Sequence, residues 1–165
     1  MTDFTSSADR ALSELGGLIG IPSLKFDPAG CCQLVFDQHH LVTLVRVPVG
    51  QRLVLSCPLL AVGDILPLAG LEAMLRANFM GGGCAGGSFG MTPDGRPCLQ
   101  LSQAFTELAG QTLLARIDTL LQQVDHWSER LFRGEGRTTE HNGRHRISSG
   151  AGEGERPPNW LLDRA

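Results

Sequence analysis

The chain has 165 residues, of which 42% are hydrophobic and 19% charged, and its formal net charge is −3. This length suits one domain with a core of its own, and the composition is ordinary for a soluble globular protein. Because no basic field would attract nucleic acid or an anionic membrane surface, the sequence predicts neither as a partner.

The N-terminal part of the chain predicts an amphipathic helix. Its first residues, MTDFTSSADRALSELGG, contain no basic segment followed by an apolar run, so no signal peptide is predicted. Ser6 and Ser7 can cap the helix, and Gly20 with Pro22 ends it. The apolar positions that define its buried face are Ala8, Ala11, Leu12, Leu15, Leu18 and Ile19. No later apolar run reaches membrane-spanning length without interruption.

Three apolar, β-branched stretches follow this helix. They predict strands at Cys31–Asp37, Leu41–Val47 and Arg52–Leu60. The connections between them, Gln38–His40 and Pro48–Gln51, are short enough for hairpins. Because parallel strands need long crossover connections, the three strands are predicted to form an antiparallel meander.

The second half of the chain predicts a helix, a strand pair and a long helix. Pro67 begins the first of these, and the glycines from Gly81 end it. Strands are predicted at Gly87–Met91 and Pro97–Gln103, joined by a Pro-Asp-Gly turn, and the last helix runs from about Glu107 to Phe132. The order α-β-β-β-α-β-β-α predicts an α+β fold with an antiparallel sheet flanked by helices.

The composition changes after residue 133. Residues 134–165 are rich in Gly, Arg and Glu and have almost no apolar residues through Pro158, so we expect a folded domain at 1–133 and a disordered tail at 134–165. The tail has five Arg and five Asp plus Glu, so the folded domain carries the whole net charge. Truncation after Arg133 should leave the thermal midpoint nearly unchanged.

The run G-G-G-C-A-G from Gly81 to Gly86 fits the G-x-G-x-x-G pattern of dinucleotide-binding loops. Such a loop follows a strand and opens a helix, so that phosphate meets the positive helix N-terminus. Here a helix precedes the glycines and a strand follows them. We therefore interpret Gly81–Gly83 as the helix C-cap and a tight passage into the next strand, and we predict no cofactor.

The histidines do not predict a metal site. His39 and His40 fall in a hairpin turn that we expect to be exposed, and adjacent residues of a strand point to opposite faces. His141 and His145 have i, i+4 spacing, but their Gly/Arg-rich segment predicts no helix to hold them.

The five cysteines are odd in number and form no C-x-x-C pair, which predicts reduced and mostly buried thiols. Cys84, among the glycines, is the most plausible nucleophile, but the sequence pairs it with no base. We predict no catalytic residues. A small thiol-dependent enzyme using Cys84 is kept as an alternative.

Two separated stretches carry a family resemblance. Leu12–Asp37 reads LSELGGLIGIPSLKFDPAGCCQLVFD, and Leu71–Arg96 reads LEAMLRANFMGGGCAGGSFGMTPDGR. They resemble, in order, the two signatures of the class I type III secretion chaperones, the Tir chaperone (CesT-like) family. LQLSQAF at Leu99–Phe105 and a Leu-rich helix ending near WSERL continue the resemblance, which covers Ala8 to Arg133. One departure is Cys84, where the family pattern has a small hydroxyl residue.

The resemblance implies a small, acidic, cytoplasmic homodimer without ATPase activity. Such a chaperone binds the N-terminal region of an effector, keeps it secretion-competent and aids its delivery to the export apparatus, whose ATPase is a further expected partner. By position, the dimer interface would include Leu71, Met74, Leu75, Asn78 and Phe79, although their periodicity alone favours core. The client-binding residues would be Leu12, Leu15, Leu18, Ile19, Leu34, Phe36 and Leu44. A regulator that sequesters a transcription factor is compatible with the same fold.

Overall fold

The computed structural model describes residues 3–59 and 66–132, so the predicted tail lies outside the described residues. The helices and strands are α1 (Asp3–Leu18), β1 (Cys31–Phe36), β2 (His40–Val47), β3 (Arg52–Pro58), α2 (Leu68–Asn78), β4 (Ser88–Met91), β5 (Pro97–Ala104) and α3 (Gly110–Phe132). This order confirms the predicted α-β-β-β-α-β-β-α fold. The predicted cap at Ser6 or Ser7 is wrong, because α1 already begins at Asp3. Within the two described ranges, no helix is both long and apolar enough to cross a bilayer.

The five strands form one antiparallel sheet in the order β1-β2-β3-β5-β4, which confirms the predicted meander and leaves β1 and β4 at the edges. Its register aligns apolar side chains across the strands. Leu34 lies opposite Val42, Leu44 opposite Leu55, and Leu55 opposite Leu101, and all five are buried. Because side chains alternate along a strand, these residues share one face of the sheet.

Two helices cover that face. α3 packs against β3 and β5, and α1 packs against α3. The core combines Leu12 and Leu15 of α1 with Ile117, Leu120 and Val124 of α3, all fully buried. The opposite face of the sheet is more open over β1, β2 and β3, where the outward-facing side chains of Val35, Leu41, Val45, Val47 and Val54 are not buried; Cys98 of β5, on the same face, is buried.

α1 and α3 approach each other closely where α3 begins. The backbone N–H of Gly110, the first residue of α3, donates to Oε2 of Glu14 in α1 at 2.8 Å. A Cβ atom at position 110 would lie 2.5 Å from the Cβ of Glu14, so the helices need glycine here. The carboxylate of Glu14 satisfies a free N–H at the positive end of the helix dipole.

The glycine-rich stretch follows α2 and precedes β4, as predicted from its context. The assignment of the helix cap to Gly81–Gly83 is wrong in one respect. The residue that adopts the left-handed conformation directly after α2 is Met80, with φ of 56°, and not one of these glycines. Gly83 instead permits a close approach: a Cβ there would lie 2.7 Å from the Cβ of Ala77. The helix end next to this loop is the C-terminus of α2, which is the negative end of the helix dipole and therefore does not favour phosphate binding.

Candidate functional site

α2 carries an apolar surface that the described chain leaves uncovered. The helix packs on β4 and buries Met74 and Ala77. Leu75 and Phe79, one helical turn apart, are 70% and 77% exposed. We call the α2 apolar surface the set of exposed side chains Leu68, Leu75, Phe79 and Met80. Large exposed hydrophobic residues grouped in this way are typical of an interaction site.

The five residues predicted at a dimer interface have different environments. Leu75 and Phe79 lie on the α2 apolar surface, Leu71 is half-buried, and Met74 belongs to the core. Asn78 pairs with the backbone of Phe89 in β4. Their shared role in dimerisation stays a prediction. Of the five, only Leu75 and Phe79 have large exposed side chains.

A groove lies beside the first strand. Its volume is about 560 Å³. Lys25 and the nearly buried ring of Phe26 are neighbours in its lining. The guanidinium of Arg46 stacks 4.7 Å above that ring and forms an ion pair with Asp9 of α1 at 2.9 Å. The groove is lined by the α1–β1 connection and the start of β1: Ile21, Ser23, Leu24, Lys25, Phe26, Asp27, Cys31, Cys32 and Gln33.

The strand that helps to form this groove is also an edge of the sheet. β1 pairs with β2 alone among the described strands, so its other side has unpaired backbone groups. Such an edge can accept an added strand. Exposed apolar side chains occur in the same part of the chain: Val35 on β1 is 63% exposed, and Leu18 and Ile21 after α1 are also exposed.

The residues predicted to bind a client are mostly internal. Leu18 is exposed, and Ile19 and Phe36 are half-buried. The other four lie in the core, where a ligand has no access in the chain as described: Leu12, Leu15, Leu34 and Leu44. None of the seven lines the groove. Sequence reasoning missed the groove residues; the one available signal was the apolar Ile21 beyond the end of the predicted helix.

Cys84 lacks the environment of a nucleophile. Its side chain is fully buried, and its Sγ donates to the carbonyl oxygen of Gly87 at 2.8 Å. Burial raises the pKa of the Cys84 thiol, because desolvation disfavours the thiolate. Burial, with further contributions from Asp125 and Cys98, raises the pKa of Cys57 to about 12. Four of the five cysteines are buried, which confirms the prediction of mostly buried thiols, and their reduced state stays a prediction.

The expectation of an exposed histidine turn is wrong for His40. His39 is exposed, but His40 is the first residue of β2 and is 4% exposed, with its Nε2 3.1 Å from Oδ1 of Asp125 in α3. Asp37 and Gln38 adopt left-handed conformations, with φ of 49° and 65°, and bend the loop tightly. Because His39 lies in this loop and not in the strand, the two rings do not diverge, and their centroids are 4.1 Å apart.

Comparisons with known proteins agree on one family and one fold. The model of the Tir chaperone protein (CesT) family matches residues 10–128. The transcriptional anti-antiactivator ExsC of Pseudomonas aeruginosa is 39% identical over 64 residues, which are 39% of this chain and 43% of that protein, so the match spans less than half of that relative.

Two solved structures extend this likeness to nearly the whole described chain. A chain in the crystal structure of the ExsC–ExsE complex is 29% identical with a TM-score of 0.70, covering 79% of this chain and 97% of that one. A chain in the HopA1–SchA chaperone–effector complex has a TM-score of 0.67 over 78% of this chain and 99% of its own, at 23% identity, and shows the shared fold.

Proposed function

The chain belongs to the Tir chaperone protein (CesT) family, and from this premise we propose that it is a type III secretion chaperone. It binds the N-terminal region of an effector protein, keeps that protein secretion-competent and aids its delivery to the export apparatus. The observation that carries the proposal is the match of the Tir chaperone family model over residues 10–128. A cytoplasmic location and a contact with the export ATPase belong to the same proposal.

The β1 edge and the groove beside it are the proposed client site. An extended client segment pairs its backbone with the free edge of β1, which requires no particular client sequence. Its apolar side chains contact Ile21, Val35 and the groove lined by Phe26. A segment held extended in this way cannot form its own fold, which is the state that export needs.

The α2 apolar surface is the proposed homodimer interface. Two-fold symmetry brings the same patch of two chains together, so Leu75 and Phe79 of one chain would cover their counterparts on the other. This arrangement leaves both β1 edges free for client. It also removes from water a group of side chains that would otherwise favour aggregation.

Client binding is tested in two steps. Capture from a secretion-competent cell followed by mass spectrometry identifies the client, and calorimetry with its purified N-terminal segment measures affinity and stoichiometry. We expect one client per two chains, with a single client segment occupying both β1 edges of the dimer. Ile21→Glu and Val35→Glu, at exposed positions, should weaken binding at least tenfold, whereas Val49→Glu, at an exposed position of the β2–β3 turn, should not. Unchanged affinity in both site variants would exclude the proposed surface.

A regulatory role is the second candidate function. It is favoured by the 39% identity, over 64 residues, to a protein named a transcriptional anti-antiactivator. In that case the partner is a regulatory protein, and the chain acts by sequestering it. If the chain is a regulator, deleting its gene should change transcription of secretion genes. If it is a chaperone for an effector, the same deletion should chiefly reduce export of that effector. The two outcomes separate the candidates.

We assign the chain no catalytic role. The thiol-dependent alternative needs a thiolate at Cys84, and the burial that raises the pKa of this thiol disfavours one. Cys84→Ser should therefore leave client affinity unchanged.

A further inference from the structure

Two histidines and an aspartate meet where the β1–β2 hairpin touches α3. One ring nitrogen of His39, one of His40 and a carboxylate oxygen of Asp125 all lie within 4.8 Å of one another. The tight loop at Asp37 and Gln38 brings the two rings together, and α3 supplies the carboxylate. The proposed chaperone function uses none of the three side chains.

The ring of His39 is oriented by its backbone. Its Nδ1 contacts the carbonyl oxygen of Asp37, which can only accept, so the ring proton is on Nδ1. The lone pair is therefore on Nε2, away from that contact. A histidine that donates one ring N–H to a backbone carbonyl is typical of metal ligands, because this contact fixes both tautomer and orientation.

His40 is the buried member of this cluster, and its two ring nitrogens have different surroundings. The residue is 4% exposed and its Nε2 lies 3.1 Å from Oδ1 of Asp125, yet its Nδ1 is buried without a hydrogen-bond partner in the part of the chain described. A buried polar atom without a partner lowers stability, and native proteins contain few of them. Because Nε2 is the nitrogen that faces Asp125, Nε2 is the one that can bind a cation, and the ring proton is then on Nδ1.

The spacing and the donor types fit a transition-metal ion. Donor atoms about 2.0–2.2 Å from a tetrahedral Zn²⁺ lie roughly 3.4 Å apart. The 3.1 Å between Nε2 of His40 and Oδ1 of Asp125 is close to that spacing. The side chains of His39 and Asp125 are exposed, so they can rotate to bring the remaining donor-to-donor distances to the same value. Imidazole and carboxylate donors together suit Zn²⁺ and its transition-metal neighbours, whereas Mg²⁺ and Ca²⁺ prefer oxygen donors alone.

We propose that His39, His40 and Asp125 form a binding site for a divalent transition-metal cation of the Zn²⁺ type. Three protein ligands leave one coordination position for water or for a group from a partner. The bound cation ties the tip of the β1–β2 hairpin to α3. The site thus stabilises the position of β1 relative to the core.

Zn²⁺ titration by calorimetry tests the site on the untagged full-length chain, with its thiols kept reduced. His141→Gln and His145→Gln are introduced first, because these histidines also offer ligands. We expect one Zn²⁺ per chain and a thermal midpoint that rises with Zn²⁺ concentration. His39→Gln and Asp125→Asn, both at exposed positions, should each weaken Zn²⁺ binding at least tenfold while circular dichroism stays unchanged.

His126→Gln is the matched control, since His126 is exposed and adjacent to Asp125. It should change the affinity by less than twofold. The proposal is overturned by the absence of stoichiometric binding, or by full affinity in both His39→Gln and Asp125→Asn. Co²⁺ spectra give a separate criterion: nitrogen and oxygen coordination supports the site, whereas thiolate-to-cobalt charge transfer would place the cation on cysteines and refute it.

Discussion

The indole N–H of Trp127 in α3 donates a hydrogen bond to the carbonyl oxygen of Gly83, at 3.1 Å. The same ring meets Phe89 of β4 edge to face, with ring centroids 4.8 Å apart. One side chain of the last helix therefore holds both the loop after α2 and the edge strand that follows it. This contact explains how a glycine-rich loop keeps a defined path between a helix and a strand.

Replacing Trp127 by Phe separates the two contributions of this ring. The variant keeps an aromatic contact with Phe89 but leaves the carbonyl of Gly83 without its donor, so we expect a loss of about 1 kcal/mol of unfolding free energy. Trp127→Ala removes the packing as well and should cost about 3–5 kcal/mol. Urea unfolding followed by circular dichroism measures both. Equal losses in the two variants would contradict this division.

Asn78 is predicted to stabilise the end of α2. The N–H of Phe89 donates to Oδ1 of Asn78 at 2.6 Å, and Nδ2 of Asn78 donates to the carbonyl of Phe89 at 3.1 Å. Asn78→Ala leaves two backbone groups without partners and should lower the free energy of unfolding by about 1–3 kcal/mol. Ser88→Ala, at an exposed position next to Phe89, is the control. An Asn78→Ala chain with unchanged stability but weaker self-association would show that the amide acts only at an interface.

Phe79→Glu tests the proposed dimer. The side chain is 77% exposed, so the substitution should leave the fold intact while placing a charge in the α2 apolar surface. We expect light scattering to report a monomer for the variant and a dimer for the unmodified chain. Val49→Glu, also at an exposed apolar position, should remain dimeric. A Phe79→Glu chain that is still dimeric would show that the α2 apolar surface is not the dimer interface.

The reactivity of Cys84 should follow its burial. A thiol reagent near neutral pH should modify half-buried Cys31 well before Cys84, and urea should remove the difference. Because the folded chain raises the pKa of the Cys84 thiol, its contribution to stability is complete below the unfolded pKa and decreases as pH rises through the folded pKa. Rapid labelling of native Cys84 by mass spectrometry would contradict the buried environment.

Hydrophobic periodicity was sufficient to predict the elements but not the surfaces. Ile117, Leu120 and Val124 recur at helical spacing and are buried in α3 as that spacing requires. In α2 the same kind of pattern buries Met74 and exposes Phe79. Periodicity identifies an apolar face, but whether the chain itself or a partner covers that face depends on tertiary packing.

Two of the failed predictions concern turn conformations that residue type does not reveal. Gln38 and Met80 adopt positive φ although neither is glycine, and the sequence contains no sign of this. The first of these bends the hairpin loop, and His40 follows it as a buried residue instead of an exposed one. The pairing of His40 with Asp125 joins distant parts of the chain, so only the fold could reveal it.

Arg46 has a consequence for the thermodynamics of client capture. Its guanidinium forms an ion pair with Asp9 of α1 and stacks on Phe26, and its backbone N–H donates to the carbonyl oxygen of Gly30 at 2.9 Å. The segment that lines the groove is therefore ordered before any client arrives. Almost all the conformational entropy lost on association is therefore lost by the client. Substitutions that remove the contacts of Arg46 should weaken binding, although Arg46 itself does not line the groove.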